Sequence, residues 1–167
     1  MITNQNTPLM NIVSVAAGGS HFLGLQQNGA VVAWGCNAYG QSDVPANIRR
    51  ITAISAGYKH SLALTATGKV VAWGCNRHGQ TSVPDSLGDI VMVTAGRYHS
   101  IALRSDGSVY AWGSNEFGQC DVPQDLVNTV NVTAGAYYSV ALKSDGSVVM
   151  WGDTLERSAR KLEALQT

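Results

Sequence analysis

The chain has 167 residues, 45% hydrophobic and 13% charged, and its eleven basic residues balance eleven acidic ones. This composition fits a globular chain with much buried surface, and the balanced charge excludes an electrostatic footprint for DNA, RNA or an anionic membrane. Three cysteines are too few for a disulfide framework, and no apolar run approaches the length of a membrane-spanning helix.

The N-terminal tail, residues 1–10, has neither a basic region nor an apolar run. No signal peptide is seen, and a cytoplasmic location is expected. From residue 11 the chain repeats itself. Trp34, Trp73, Trp112 and Trp151 stand 39 residues apart, and Gly18, Gly57, Gly96 and Gly135 keep the same step. So do Leu25, Leu64, Leu103 and Leu142, the glycines 29, 68, 107 and 146, and Pro45, Pro84 and Pro123. The copies run about 11–49, 50–88, 89–127 and 128–153, with no insertions between them. A fixed period of this size signals one repeat array rather than separate domains.

The second copy shows the elements of each. ITAISAG, residues 51–57, is short and β-branched, and HSLALTA, residues 60–66, alternates His60, Leu62 and Leu64 against Ser61 and Ala63. Thr67-Gly68 then occupies the place that Asn28-Gly29, Asp106-Gly107 and Asp145-Gly146 hold elsewhere, and KVVAWG, residues 69–74, follows. Asn-Gly and Asp-Gly between apolar runs predict a tight type I′ hairpin. Each copy is therefore expected to be an antiparallel meander of three strands. Such a sheet cannot bury both faces alone, so its neighbours must stack on it. The expected fold is an all-β β-propeller with one 39-residue blade per repeat; a β-solenoid is the rival, with shorter repeats that usually lack hairpins. The tail at 154–167 spaces Leu155, Ala159, Leu162 and Leu165 between charged residues, which predicts a short amphipathic C-terminal helix.

Positions where the copies differ are free to serve function. One variable window follows the in-phase glycine and holds Tyr58-Lys59, Arg97-Tyr98 and Ala136-Tyr137; another holds Ala38-Tyr39, Arg77-His78 and Glu116-Phe117. With strands running up, down and up, both windows fall on one rim. The candidate partner-binding residues are thus Tyr39, Tyr58, Lys59, Arg77, His78, Arg97, Tyr98, Phe117 and Tyr137, of the types enriched in binding hot spots. The bland alternative is a set of solvated loop side chains.

Few residues suggest chemistry. His21, His60 and His99 share one repeat position, where Tyr138 replaces them in the fourth copy. They could ring an axis and hold a metal, but a structural bond at the strand entrance is the expected role. Cys36 and Cys75 lack zinc-type spacing and are expected to be free. The Trp-Gly pairs are expected to be packing wedges between blades. No nucleophile elbow, phosphate-binding loop or HExxH occurs, so neither a catalytic residue nor a cofactor is expected.

GYKHSLALTATGKVVAWGCNRHGQ and GRYHSIALRSDGSVYAWGSNEFGQ resemble the repeat of the regulator-of-chromosome-condensation family, in register over about residues 11–153. The compact unit, with Val-Pro after Gly-Gln, is similar to short-blade bacterial members such as the propeller-type inhibitors of β-lactamase. The resemblance implies that the shared histidine is structural and that function is protein binding through one loop face. It also implies a ring of seven blades, whereas this chain carries four repeats. The expectation is that two chains close one eight-bladed ring as a homodimer. A fragment of a longer propeller, or a four-bladed ring closed alone, are the alternatives; Met1 and the non-repetitive tail favour a whole small protein.

The reading is a non-catalytic scaffold that binds a protein partner. Its specific alternatives are an inhibitor of a β-lactamase or penicillin-binding-type enzyme, a guanine-nucleotide exchange factor for a small GTPase, and a small-ligand or metal-binding ring.

Overall fold

The computed structural model describes residues 10–154. The expected C-terminal helix lies outside the described residues, as does nearly all of the N-terminal tail. The four repeats form four separate three-stranded antiparallel sheets, each with its strands in chain order. Blade 1 holds β1 (Ile12–Ala17), β2 (His21–Gln26) and β3 (Val31–Gly35). Blade 2 holds β4 (Ile51–Ala56), β5 (His60–Thr65) and β6 (Val70–Gly74). Blade 3 holds β7 (Ile90–Ala95), β8 (His99–Arg104) and β9 (Val109–Gly113). Blade 4 holds β10 (Thr129–Ala134), β11 (Tyr138–Lys143) and β12 (Val148–Gly152).

The hairpin turns depart from the expected type I′. In each, only the glycine has positive φ, at Gly29, Gly68, Gly107 and Gly146; Asn28, Thr67, Asp106 and Asp145 do not. Gly29 N donates to Gln26 O at 2.9 Å, and Gln26 N donates to Ala30 O at 2.8 Å. This is a three-residue loop, a turn followed by a left-handed glycine bulge. In three of the four turns a side chain reinforces this geometry, which the Thr67-Gly68 turn adopts without an Asn or Asp. Asn28 Oδ1, Asp106 Oδ1 and Asp145 Oδ1 each accept from the backbone N–H two residues on, at 2.9–3.0 Å. That local bond holds the Asn or Asp in its ordinary backbone region, leaving the glycine alone to reverse the chain.

Three apolar cores form, one in each gap between neighbouring blades. Leu23 and Leu25 of blade 1 meet Ala63 and Trp73 of blade 2. Leu62, Leu64 and Val70 of blade 2 meet Val93, Ala102 and Trp112 of blade 3. Ile101 and Leu103 of blade 3 meet Val132, Ala141 and Trp151 of blade 4. The period-2 alternation of each central strand therefore serves two cores at once, which is why β5 and β8 are buried on both faces. The innermost strands β1, β4, β7 and β10 lie side by side. Their upper ends, Ala17-Gly18, Ala56-Gly57, Ala95-Gly96 and Ala134-Gly135, line an open concavity of about 410 Å³.

Among the described residues, blade 4 does not pack on blade 1 as the other neighbours pack on each other. Among the described residues, one face of blade 1 and one face of blade 4 are left uncovered.

Candidate functional site

Two polar frameworks hold the loops, and both repeat from blade to blade. The first fixes the junctions. His21, His60 and His99 are fully buried, and their Nε2 atoms lie 2.9, 3.1 and 3.1 Å from Ser61, Ser100 and Ser139 Oγ of the next blade. Each serine spends its own proton on a backbone carbonyl, of Gln41, Gln80 or Gln119, at 2.8–2.9 Å. The histidine must then donate from Nε2. The same three carbonyls accept from the indole Nε1 of Trp73, Trp112 and Trp151, at 2.9–3.0 Å. The tryptophans are therefore wedges between blades that also donate a bond across the gap. Burial pushes the His60 and His99 pKa values down to about 4, His60 with help from the two neighbouring histidines, and His21 is lowered by the same cause.

These histidines face serines rather than one another, and no group of three or more metal-ligating side chains converges among the described residues. The three cysteines are free. Half-buried Cys120 has its thiol pushed up to about 12, first by burial and then by Asp121.

The second framework braces the upper loops. Gln41, Gln80 and Gln119 accept at Oε1 from the backbone N–H of Tyr39, His78 and Phe117, each at 2.9 Å. Asn37, Asn76 and Asn115 accept at Oδ1 from Ser42, Thr81 and Cys120 N–H at 2.8–2.9 Å. Cys36, Cys75, Ser114 and Asp153 N–H donate to the carbonyls of Ser20, Lys59, Tyr98 and Tyr137, tying the two variable windows together. Asn and Gln recur because they hold the loop; the two residues between them can vary. Their structural role is carried by their constancy across the copies.

The structure places all nine candidate residues on this rim in one connected network. Lys59 Nζ stands 4.2 Å over the Tyr39 ring and donates to its hydroxyl at 3.1 Å. It also lies 5.4 Å from the Tyr58 ring, and Arg77 lies 5.3 Å from that of Tyr39. Arg97 sits among three tyrosines, 4.6 Å from Tyr58, 5.3 Å from Tyr98 and 5.5 Å from Tyr137. His78 packs on Tyr98 at 4.9 Å, Tyr58 meets Tyr98 edge-on at 5.8 Å, and Phe117 packs on Tyr137 at 4.9 Å. The tyrosine hydroxyls raise the affinity of Lys59 and Arg97 for their protons, through Tyr39 and Tyr98 respectively. Both cations therefore stay charged at neutral pH. The variable windows contribute Lys59, Arg77 and Arg97 against the single carboxylate of Glu116.

Such an array offers large aromatic area already ordered by cation–π contact, with positive charge between the rings. It suits a protein surface bearing carboxylates.

The described repeats match the family model for the regulator of chromosome condensation (RCC1) repeat at residues 12–41, 51–80, 90–119 and 130–154, more than half of the chain. Comparison with curated proteins gives no match. Several solved structures are similar. Prp20p of Saccharomyces cerevisiae, described with its binding to Gsp1p and histones, shares 25% identity at a TM-score of 0.75; the match covers 88% of this chain and 47% of Prp20p. The same yeast protein has been seen bound to Kap60. The ectodomain of the Arabidopsis thaliana receptor kinase ACR4 shares 26% identity at a TM-score of 0.68, covering 85% of this chain and 56% of that one. Human WBSCR16 shares 24% at 0.73, covering 84% and 47%. The chain thus spans about half the length of these structures.

Proposed function

We propose, from the premise that this chain belongs to the regulator of chromosome condensation (RCC1) repeat family, that it is a non-catalytic propeller module that binds a protein partner through its upper loop face. The observation that carries the reading is the single network joining Arg77, Tyr39, Lys59, Tyr58, Arg97 and Tyr137 across three junctions. Loop residues that merely face water have no reason to align cations between rings from four blades. The ordered rings keep the entropy cost of binding low. Protein binding by Prp20p is consistent with this reading at the level of the fold.

The test is affinity capture from an extract of the source cell with wild type, Arg97→Glu and, on the opposite rim, Lys69→Glu. A partner retained by wild type and Lys69→Glu but lost by Arg97→Glu supports the reading. Equal capture by all three, or by none, sinks it. Titration against a β-lactamase or a penicillin-binding-type enzyme tests the inhibitor version, and nucleotide release from a small GTPase tests the exchange-factor version.

A further inference from the structure

Every junction of the array joins two unlike faces. The leaving face carries the histidine; the receiving face carries the serine and the tryptophan. Three pairs are made, and among the described residues one face of each kind stays open: the receiving face of blade 1 and the leaving face of blade 4. Both keep the apolar character of a junction. Val148 of blade 4 is 58% exposed where its equivalent Val70 is 6%, and Val15 of blade 1 is 70% exposed where Val93 is 7%.

The two open faces also depart from the internal pattern at matched positions. Tyr138 stands where the other leaving faces have histidine, and Phe22 stands where the other receiving faces have serine. A histidine facing Phe22 would leave its Nε2–H without an acceptor, and Tyr138 facing a serine would bury a hydroxyl beside a ring. Together the two changes exchange a polar contact for an aromatic one. Phe22 already stacks on Trp34 at 5.7 Å and 18°, forming an apolar plate. Bulk is exchanged as well. Met150 replaces the alanine at 33, 72 and 111 on the leaving face, and Gly24 replaces the alanine at 63, 102 and 141 on the receiving face. Finally, the sequence after Gly152 has no Asn-x-x-Gly-Gln loop to offer a glutamine carbonyl, and Phe22 has no proton to give one.

We propose that the blade 4 face of one chain docks on the blade 1 face of a second copy, and the reverse, so that two chains close one eight-bladed ring. The occupant is a second copy because the chain itself carries both halves of an interface it already builds three times, and its own two ends do not meet. A two-fold axis satisfies both open faces at once and leaves none to propagate. The inference does not depend on what the loop face binds.

The experiment is light scattering after size exclusion on the untagged full chain over a dilution series, with Val15→Glu and Met150→Lys. Wild type is expected at twice the 17.6 kDa chain mass. Each variant alone is expected at the single-chain mass with its β circular dichroism intact. An equimolar mixture of the two variants is expected to return to the doubled mass. In the mixed dimer one junction is wild type and the other pairs opposite charges. Should either charge unfold the chain, Val15→Thr and Met150→Thr replace them, each expected to weaken association at least tenfold. A wild-type monomer overturns the proposal, whether residues 155–167 or further blades of a longer chain cover the face. So does a doubled mass that neither variant disturbs. Loss of association by Met150→Lys but not by Val15→Glu also overturns it, because that means like faces pair.

Discussion

At the scale of single residues, the junction is a relay of four groups: histidine to serine to carbonyl, with tryptophan donating to the same oxygen. Each member is buried, so removing one leaves the next unsatisfied. Ser100→Ala strands the Nε2–H of His60 and frees one lone pair on the Gln80 carbonyl. We expect it to cost about 1–3 kcal/mol in urea denaturation, against little for Ser105→Ala, a turn serine. The relay also makes stability pH-dependent. His60 and His99 have folded pKa values of about 4 against an ordinary value of 6.5. Between those values the unfolded chain takes up protons that the folded chain refuses. Stability is therefore full above pH 6.5 and is lost as pH falls towards 4, on the order of 3 kcal/mol per histidine. Denaturation midpoints measured from pH 7.5 to 4 check this; a flat profile across that window would mean the imidazoles can protonate in place. The sequence showed that the histidines share a position, and a structural role was the expectation. It could not show which group they meet, because the partner serine lies 40 residues away and is met only through blade stacking.

At the scale of the elements, all three strands of each blade were legible, since alternation, glycine turns and Trp-Gly ends mark them directly. The hairpin type was not. Asn-Gly and Asp-Gly suit both a two-residue turn and a three-residue turn with a bulge, and the choice falls to the Asx side chain and the strand register. The same turns test how blades couple. Gly107 and Gly146 have φ of +82° and +85°. A Cβ at Gly107 would meet Thr129 N at 3.2 Å, on the next blade, whereas one at Gly146 would meet nothing within 4 Å. Both alanine variants carry the left-handed penalty of about 1–2 kcal/mol. Gly107→Ala is expected to lose more than Gly146→Ala by thermal or urea melting. Equal losses would show that the turn does not press on its neighbour.

At the scale of the whole molecule, the array has no central core but three cores in its gaps, so stability is set by neighbouring blades in pairs. Among the described residues, blades 2 and 3 have both faces covered, and blades 1 and 4 have one each. Amide hydrogen exchange is accordingly expected to be faster in β1–β3 and β10–β12 than in β4–β9 at high dilution, and to even out as concentration rises and chains pair. Concentration-independent exchange in the end blades would contradict paired chains. By itself the sequence determined the repeat, the strand count, the all-β class and the set of variable loop residues, because each follows from local periodicity or from comparing copies of one unit. Tertiary structure alone decided that those nine residues form one cation–aromatic network, that each histidine meets a serine, and that the two ends stay apart. Those outcomes depend on the angle at which blades stack, and that angle is set by side chains meeting across the gaps, a relation no local pattern records.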